Sequence, residues 1–165
     1  MLTISDRSFR REREDRGGPA VAEAVRRHLP GAEIVETLVL PDERDDIEWN
    51  LKRLGDTNGA DLVLTTGGTG LAARDVTPQA TLAAVDYEAP GLAEAMRAAT
   101  RAAVPTAILS RQAAGVRGRT LIVNLPGSPR GAVECLEVIA AVLPHAVATL
   151  RGEPDAHPAA RVDSA

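Results

Sequence analysis

"TTGGTGLAARDVTPQAT", residues 65–81, is the stretch on which the reading of this chain turns. It continues a short apolar run, "DLVLTT" at 61–66, of the kind buried on both faces of a parallel sheet. Three glycines then fall within four positions, Gly67, Gly68 and Gly70, and Asp75 follows five residues after the last. A tight strand-to-helix connection is served by one glycine. A concave row of unobstructed backbone amides, able to hold phosphate oxygens, calls for several. Both readings stand at this point. Thr77-Pro78 has the pattern of an N-cap followed by a helix-starting proline. The stretch lacks the lysine of a Walker loop and the spacing of the Rossmann fingerprint.

Outward from this loop, apolar strands alternate with helical patterns. Leu2–Ser5 reads as a short first strand, and 6–18, "DRSFRREREDRGG", as a highly charged loop. Pro19 opens a helix with Val21, Ala22, Val25 and Leu29 as its stripe, ended by Pro30-Gly31. Residues 33–40, "EIVETLVL", read as a strand. From Pro41-Asp42-Glu43 a helix runs to about Asp56, with Ile47, Leu51 and Leu54 on one face. Helices are expected from Thr77 to about Val85 and from Gly91 to about Ala103, with strands at 106–110, "TAILS", and 119–127, "RTLIVNLPG". Ser128-Pro129 repeats the cap-plus-proline device, and Pro144 kinks or divides the last helical region. From 152 onward the chain has little to bury and reads as a disordered tail. The pattern predicts an α/β fold, a single three-layer α/β/α domain over 1–151 with a mostly parallel sheet.

Composition narrows the function. The 165 residues suit one domain with a full core. Aromatics are 2%, so the core is aliphatic, and a ligand's ring is gripped by aliphatic side chains and backbone rather than by stacking. A net charge of −4 argues against nucleic-acid binding through bulk charge. The single cysteine, Cys135, excludes an internal disulfide and a cysteine-rich zinc site. No apolar run approaches the roughly 18 residues of a membrane span. The start has no signal-peptide layout, so a cytoplasmic protein is expected.

Two acids lie where ligands bind in parallel sheets, beyond strand carboxyl ends. Asp42 follows the strand at 33–40, and Asp75 lies in the loop after 61–66. Between two carboxylates and a phosphate loop a divalent cation removes the repulsion, and magnesium commonly binds through one or two carboxylates plus substrate phosphates. Asp42 as a helix N-cap, and Asp75 paired with Arg74 or another arginine, remain alternatives. "NLPGSP" at 124–129 ends a strand and starts a helix, either as an anion site or as a plain capped turn. Ser110 and Arg111 also follow an expected strand, and Arg111 has the chemistry for a bidentate phosphate grip. Arg117 and Arg119 read as surface charges.

Together, "LVLTTGGTGLAARDVTPQATL", "PTAILSRQAAGVRGRTLIVNLPGSPRGAVECL" and the "PDE" at 41–43 resemble the MogA/MoaB-type molybdenum cofactor biosynthesis family, the molybdopterin adenylyltransferases. The resemblance runs from about Leu2 to Gly152 and is closer to the shorter MoaB-type members. It implies a molybdopterin-binding-like fold and a homotrimer. It implies a magnesium-dependent nucleotidyltransferase that moves AMP from ATP to the terminal phosphate of molybdopterin and releases pyrophosphate. The product would pass to a molybdenum-insertion protein. The family's two catalytic, metal-binding acids fall on Asp42 and Asp75. Its nucleotide and pterin contacts fall on Ser5 and Asp6, on Thr66, Gly67, Gly68, Thr69 and Gly70, on Ser110 and Arg111, and on Asn124, Leu125, Pro126, Gly127 and Ser128. Two departures are visible: the loop 7–16 lacks an expected glycine, and Gly17 stands where the family often has serine. A non-catalytic molybdopterin-binding scaffold of the same fold is the alternative.

Overall fold

Strand β3, Leu62–Thr66, runs through the middle of a six-stranded sheet in the computed structural model, which describes residues 1–57 and 59–153. Parallel neighbours flank it: β1 (Leu2–Ile4) on one side and β6 (Thr120–Leu125) on the other. Outside β1 lies β2 (Leu38–Leu40), also parallel. Beyond β6 the sheet continues antiparallel, through β5 (Ala114–Arg117) to β4 (Tyr87–Glu88). The order is β2-β1-β3-β6-β5-β4.

Side chains alternate across the strands and so feed two cores. Val63 and Ile122 face one side, where they meet Ile47, Leu51 and Leu54 of α3 (Arg44–Asp56) and Ala80 and Ala84 of α4 (Thr77–Ala84). Leu64, Val123 and Leu125 face the other. There they meet α2 (Gly17–His28), α5 (Pro90–Thr100), α6 (Pro129–Ile139) and α7 (Leu143–Arg151). Each fully buried Leu or Ile contributes about 1.5–3 kcal/mol. The three-layer α/β/α arrangement expected from the sequence is thus present. Among the described residues no single helix is long and apolar enough to cross a membrane.

Several elements differ from expectation. The strand at 33–40 shrinks to Leu38–Leu40, because β1 begins only at Leu2, which pairs with Leu38, and leaves 33–37 without a neighbouring strand. "TAILS" forms no strand. Pro105–Leu109 is a 3-10 helix, since the free edge of β6 is taken by β5 through a tight hairpin. Gly118, first in that two-residue loop, has φ +56°, the left-handed backbone such a turn requires. The charged loop at 6–18 contains a short helix, α1 (Asp6–Phe9), capped by the Ser5 hydroxyl, and α2 starts at Gly17 rather than Pro19. The stripe of α2 is Val21, Ala24 and Val25, with Ala22 off it. Val76, not Thr77, is the cap of α4. The last helical region is divided as expected, into α6 and α7 at 63° to each other, with Pro144 in the first turn of α7. Of the expected tail, residues 154–165 lie outside the described residues.

Candidate functional site

The chain leaves β1 for β2 on one side and returns past β1 to β3 on the other. Between β1 and β3 the loops therefore diverge and open a cleft at the strands' carboxyl ends, the usual ligand site of such sheets. A cavity of 380 Å³ lies there, lined by Ser5, Asp6, Asp42, Thr66, Gly67, Gly68, Asp75 and Gly127, with Arg7, Ser8 and Arg13 at its rim. Its floor is main chain. Gly67 has φ +109°, and a Cβ there would fall on the Ile4 carbonyl oxygen. A Cβ on Gly127 would stand 3.3 Å from the Gly67 Cα.

Two of the acids hold each other's loops. The Asp6 N–H donates to Asp42 Oδ2 at 2.8 Å, and the Asp42 N–H donates to Asp6 Oδ1 at 3.2 Å. Arg74 then bridges Asp6, at 2.8 Å, and Glu43, at 2.9 Å. Burial raises the Asp6 carboxyl, but Arg74, the Asp42 N–H and Arg10 outweigh it and hold Asp6 below the usual range. Asp42 moves the other way. Burial pushes it up, the charges of Asp6 and Asp75 add to this, and the Asp6 N–H and Arg74 offset only part. Neither sequence alternative holds: Glu43 is the N-cap of α3, and Arg74 pairs with Asp6 and Glu43 rather than Asp75. Asp75 Oδ2 instead accepts the Ala72 N–H at 2.9 Å.

A second cavity, of 540 Å³, opens on the other side of the ridge formed by Thr69-Gly70 and Pro126–Ser128. Its walls are mostly apolar, with Leu71, Val104, Ala107 and Leu109, and Cys135 also lines it. Ser110 lines it too, and its hydroxyl is buried with no hydrogen-bond partner among the described residues. Ser128 caps α6 by accepting the Gly131 N–H at 3.1 Å. A polar, acidic cleft and an apolar one thus share a ridge of backbone amides and a helix N-terminus.

The family model described as "Probable molybdopterin binding domain" matches residues 1–145. The chain belongs to this family. It is 43% identical over 152 residues to a molybdopterin adenylyltransferase of Helicobacter pylori strain J99, covering 92% of this chain and 86% of that protein. To the molybdopterin adenylyltransferase of Escherichia coli K12 it is 48% identical over 137 residues, 83% and 70% of the two chains. The crystal structure of the molybdopterin biosynthesis enzyme MoaB of Thermus thermophilus superposes with a TM-score of 0.84 at 50% identity, covering 93% of this chain and 95% of that one.

Within this family framework the candidate residues divide. Ser5, Asp6, Thr66, Gly67, Gly68, Gly127, Asp42 and Asp75 line the acidic cleft, and Thr69, Gly70, Ser110, Pro126 and Ser128 line the apolar one. Asn124 and Leu125 line neither, being fully buried. Asn124 donates to Thr65 and Thr81 at 3.0 and 2.8 Å and accepts the Ala113 N–H at 3.2 Å, tying together β3, α4 and the residue before β5. Arg111 is a brace rather than a free phosphate grip. Its Nε donates to the Gly70 carbonyl at 2.7 Å and its Nη2 to the Asp75 carbonyl, so it holds both ends of the glycine loop. Arg117 is not a plain surface charge: it clamps Asp56 at 2.8 Å and the Ala84 carbonyl at 2.8 Å. Arg119 caps the carbonyl end of α7.

One residue escapes the sequence reading. Thr77 is 0% exposed, and its hydroxyl has no hydrogen-bond partner among the described residues. Leaving a buried hydroxyl unpaired costs about 1–3 kcal/mol. A Cβ on Gly68 would land on Thr77 Oγ1 and stand 3.1 Å from Asp42 Oδ1. A Cβ on Gly70 would stand 2.8 Å from Asp75 Oδ2. The glycines thus leave carboxylate oxygens uncovered by side chains. Among the described residues no group of three His, Cys, Asp or Glu could hold a metal ion. Two hard-oxygen carboxylates beside amides fit magnesium bound jointly with substrate phosphates, and do not fit zinc.

Proposed function

We propose that the protein transfers AMP from ATP to the terminal phosphate of molybdopterin and releases pyrophosphate, in the cytoplasm, as a step of molybdenum cofactor biosynthesis. The observation that carries this reading is Asp42. Among the described residues its carboxylate forms no ion pair with an arginine, and it stands over a glycine loop at the sheet's switch point, beside Asp75. Adenylyltransferase relatives at 43% and 48% identity support the same reading.

Asp42 and Asp75 are the residues that would hold Mg²⁺. When bound, the ion neutralises charge on the transferring phosphoryl group. ATP lies along the ridge. The amides of Gly67–Gly70 and the N-terminus of α6 take its phosphates, and the aliphatic walls by Ser110 take a ring. An oxygen of the molybdopterin phosphate forms the new bond to the α-phosphorus of ATP. The bond from that phosphorus to the bridging oxygen breaks, and pyrophosphate leaves with the electron pair. A phosphate monoester is already largely ionised near neutral pH, so no protein base is needed. This accounts for a site of acids and amides without His or Cys at its centre. Arg111 and Arg74 position: one holds the glycine loop, the other ties the loops of Asp6 and Glu43.

The test is pyrophosphate release from purified protein, ATP, Mg²⁺ and molybdopterin. Turnover that requires all three supports the reading. Pterin binding without turnover overturns it in favour of a scaffold of the same fold. A homotrimer and hand-over to a molybdenum-insertion protein belong to the same proposal. Light scattering that shows a stable monomer counts against the trimer.

A further inference from the structure

Three other buried threonine hydroxyls have acceptors. Thr3 donates to Asp15 at 2.8 Å, Thr66 to the Pro126 carbonyl at 2.7 Å and Thr120 to the Ala60 carbonyl at 2.6 Å. Within helices, Thr100 donates back to the carbonyl four residues earlier at 2.7 Å, the usual outlet for such a side chain. Thr77 lacks that outlet. It is the first residue of α4, so no helical turn precedes it. Its N–H donates to the Gly68 carbonyl at 3.2 Å, which fixes its backbone against the glycine loop. Its hydroxyl is left behind that loop, around the point where Gly68 has no Cβ. Asp42 Oδ1 faces the same point.

Asp42 uses its other oxygen, Oδ2, for the Asp6 N–H, and among the described residues none donates to Oδ1. A carboxylate that takes up a divalent cation is commonly oriented by a hydrogen bond from a neighbouring donor. We propose that Thr77 is a positioning residue for Asp42, its O–H being the donor that Asp42 Oδ1 accepts when the carboxylate engages a divalent cation. The proposal rests on the reading of Asp42 as a magnesium ligand. It also gives Gly68 a second role: any side chain there would occupy the space across which hydroxyl and carboxylate meet.

The probe is Mn²⁺ alone, with free ion counted by electron paramagnetic resonance against the full chain. Thr77→Val keeps the shape and deletes the hydroxyl. Mn²⁺ binding weakens by about 10–100-fold, and Thr77→Ser restores it. Without metal, the Tm of Thr77→Val is no lower than that of wild type, because the valine removes an unpaired buried hydroxyl. A residue needed only for packing would give the reverse, a lowered Tm with unchanged Mn²⁺ binding, and that result overturns the proposal. Should the valine variant fail to fold, Thr77→Ala carries the same comparison with Thr77→Ser. Equal Mn²⁺ binding in wild type and in the hydroxyl-free variants overturns the role of Thr77 and leaves Asp42 as a ligand. A wild type that takes up no Mn²⁺, whether alone or with ATP, overturns both.

Discussion

At the amino ends of the parallel strands, Asp61 is gripped by Arg151 and Glu36 by Arg53; at the carboxyl ends, Asp42 has no such partner among the described residues. The arginine hydrogen bond is the main reason that Asp61 and Glu36 both lie below their ordinary values. Burial is the main reason that Asp42 lies above its own. The amino end holds a cavity of 550 Å³, about the size of the 540 Å³ apolar cleft at the carboxyl end and larger than the 380 Å³ acidic one. Volume therefore does not set the candidate site's end of the sheet apart. What marks it is a carboxylate left unneutralised beside exposed main chain.

Breaking the comparison at its strongest point, Asp42→Asn and Asp75→Asn should each lower turnover by at least about 100-fold, the upper range for losing even an indirect metal contact. Steady-state pyrophosphate release measures this. Wild-type rates in both variants would end the two-acid reading. At the other end, Asp61→Asn should leave kcat unchanged.

The glycines give the next effect. Gly67→Ala adds a left-handed strain to a clash with the Ile4 carbonyl, together about 3–5 kcal/mol. Gly31, at the opposite end, has φ +86° but nothing within 4 Å of its missing Cβ, so Gly31→Ala should cost only about 1–2 kcal/mol. Denaturant unfolding of the two variants tests the gap. Similar losses would mean that the floor yields more readily than its geometry implies.

The smallest effect is electrostatic, and its sign differs between the ends. Asp61 has a lowered value when folded. Its contribution is present above the unfolded aspartate value of about 3.9 and is lost as pH falls through the folded one. Arg151→Ala should thus lower the Tm only slightly near neutrality, the pair being half-exposed and screened by solvent. The Tm difference from wild type should close in acid. For Asp42 the folded value is raised, so its charge costs stability as pH rises through that value. Asp42→Asn should therefore have a higher Tm than wild type near neutrality, with the gain vanishing in acid. A gap that widens in acid at either position would contradict the assigned pairing.

Much of this was legible in the sequence. Long helices with apolar stripes, such as α3 through Ile47, Leu51 and Leu54, announce themselves by period. Asp42 and Asp75 could be found because each follows an apolar run and so must sit at a strand's carboxyl end. Less legible was anything decided by competition for a sheet edge. "TAILS" has strand composition, yet the "AGVR" of β5 takes the place beside β6, and only the Gly118 turn hints at it. Nor can a sequence say which side chains are already spent. Arg111 looks like a phosphate clamp until its nitrogens are found on the Gly70 and Asp75 carbonyls. Thr77 looks like a cap until its hydroxyl is found without a partner.

The backbone floor of the acidic cleft has a consequence for how this protein can change. Gly67 lies against the Ile4 carbonyl and Gly127 lies against Gly67, so the end of β1 and two loops meet there without an intervening side chain. Point mutation rewrites side chains, and at Gly67 and Gly127 there is none to rewrite. Variation in what the cleft accepts must accumulate on side chains that line it, among them the exposed Arg7 and Arg13 of the charged loop. A randomised library over the whole cleft should return its altered-substrate survivors from that loop, with Gly67 and Gly127 unchanged in every one.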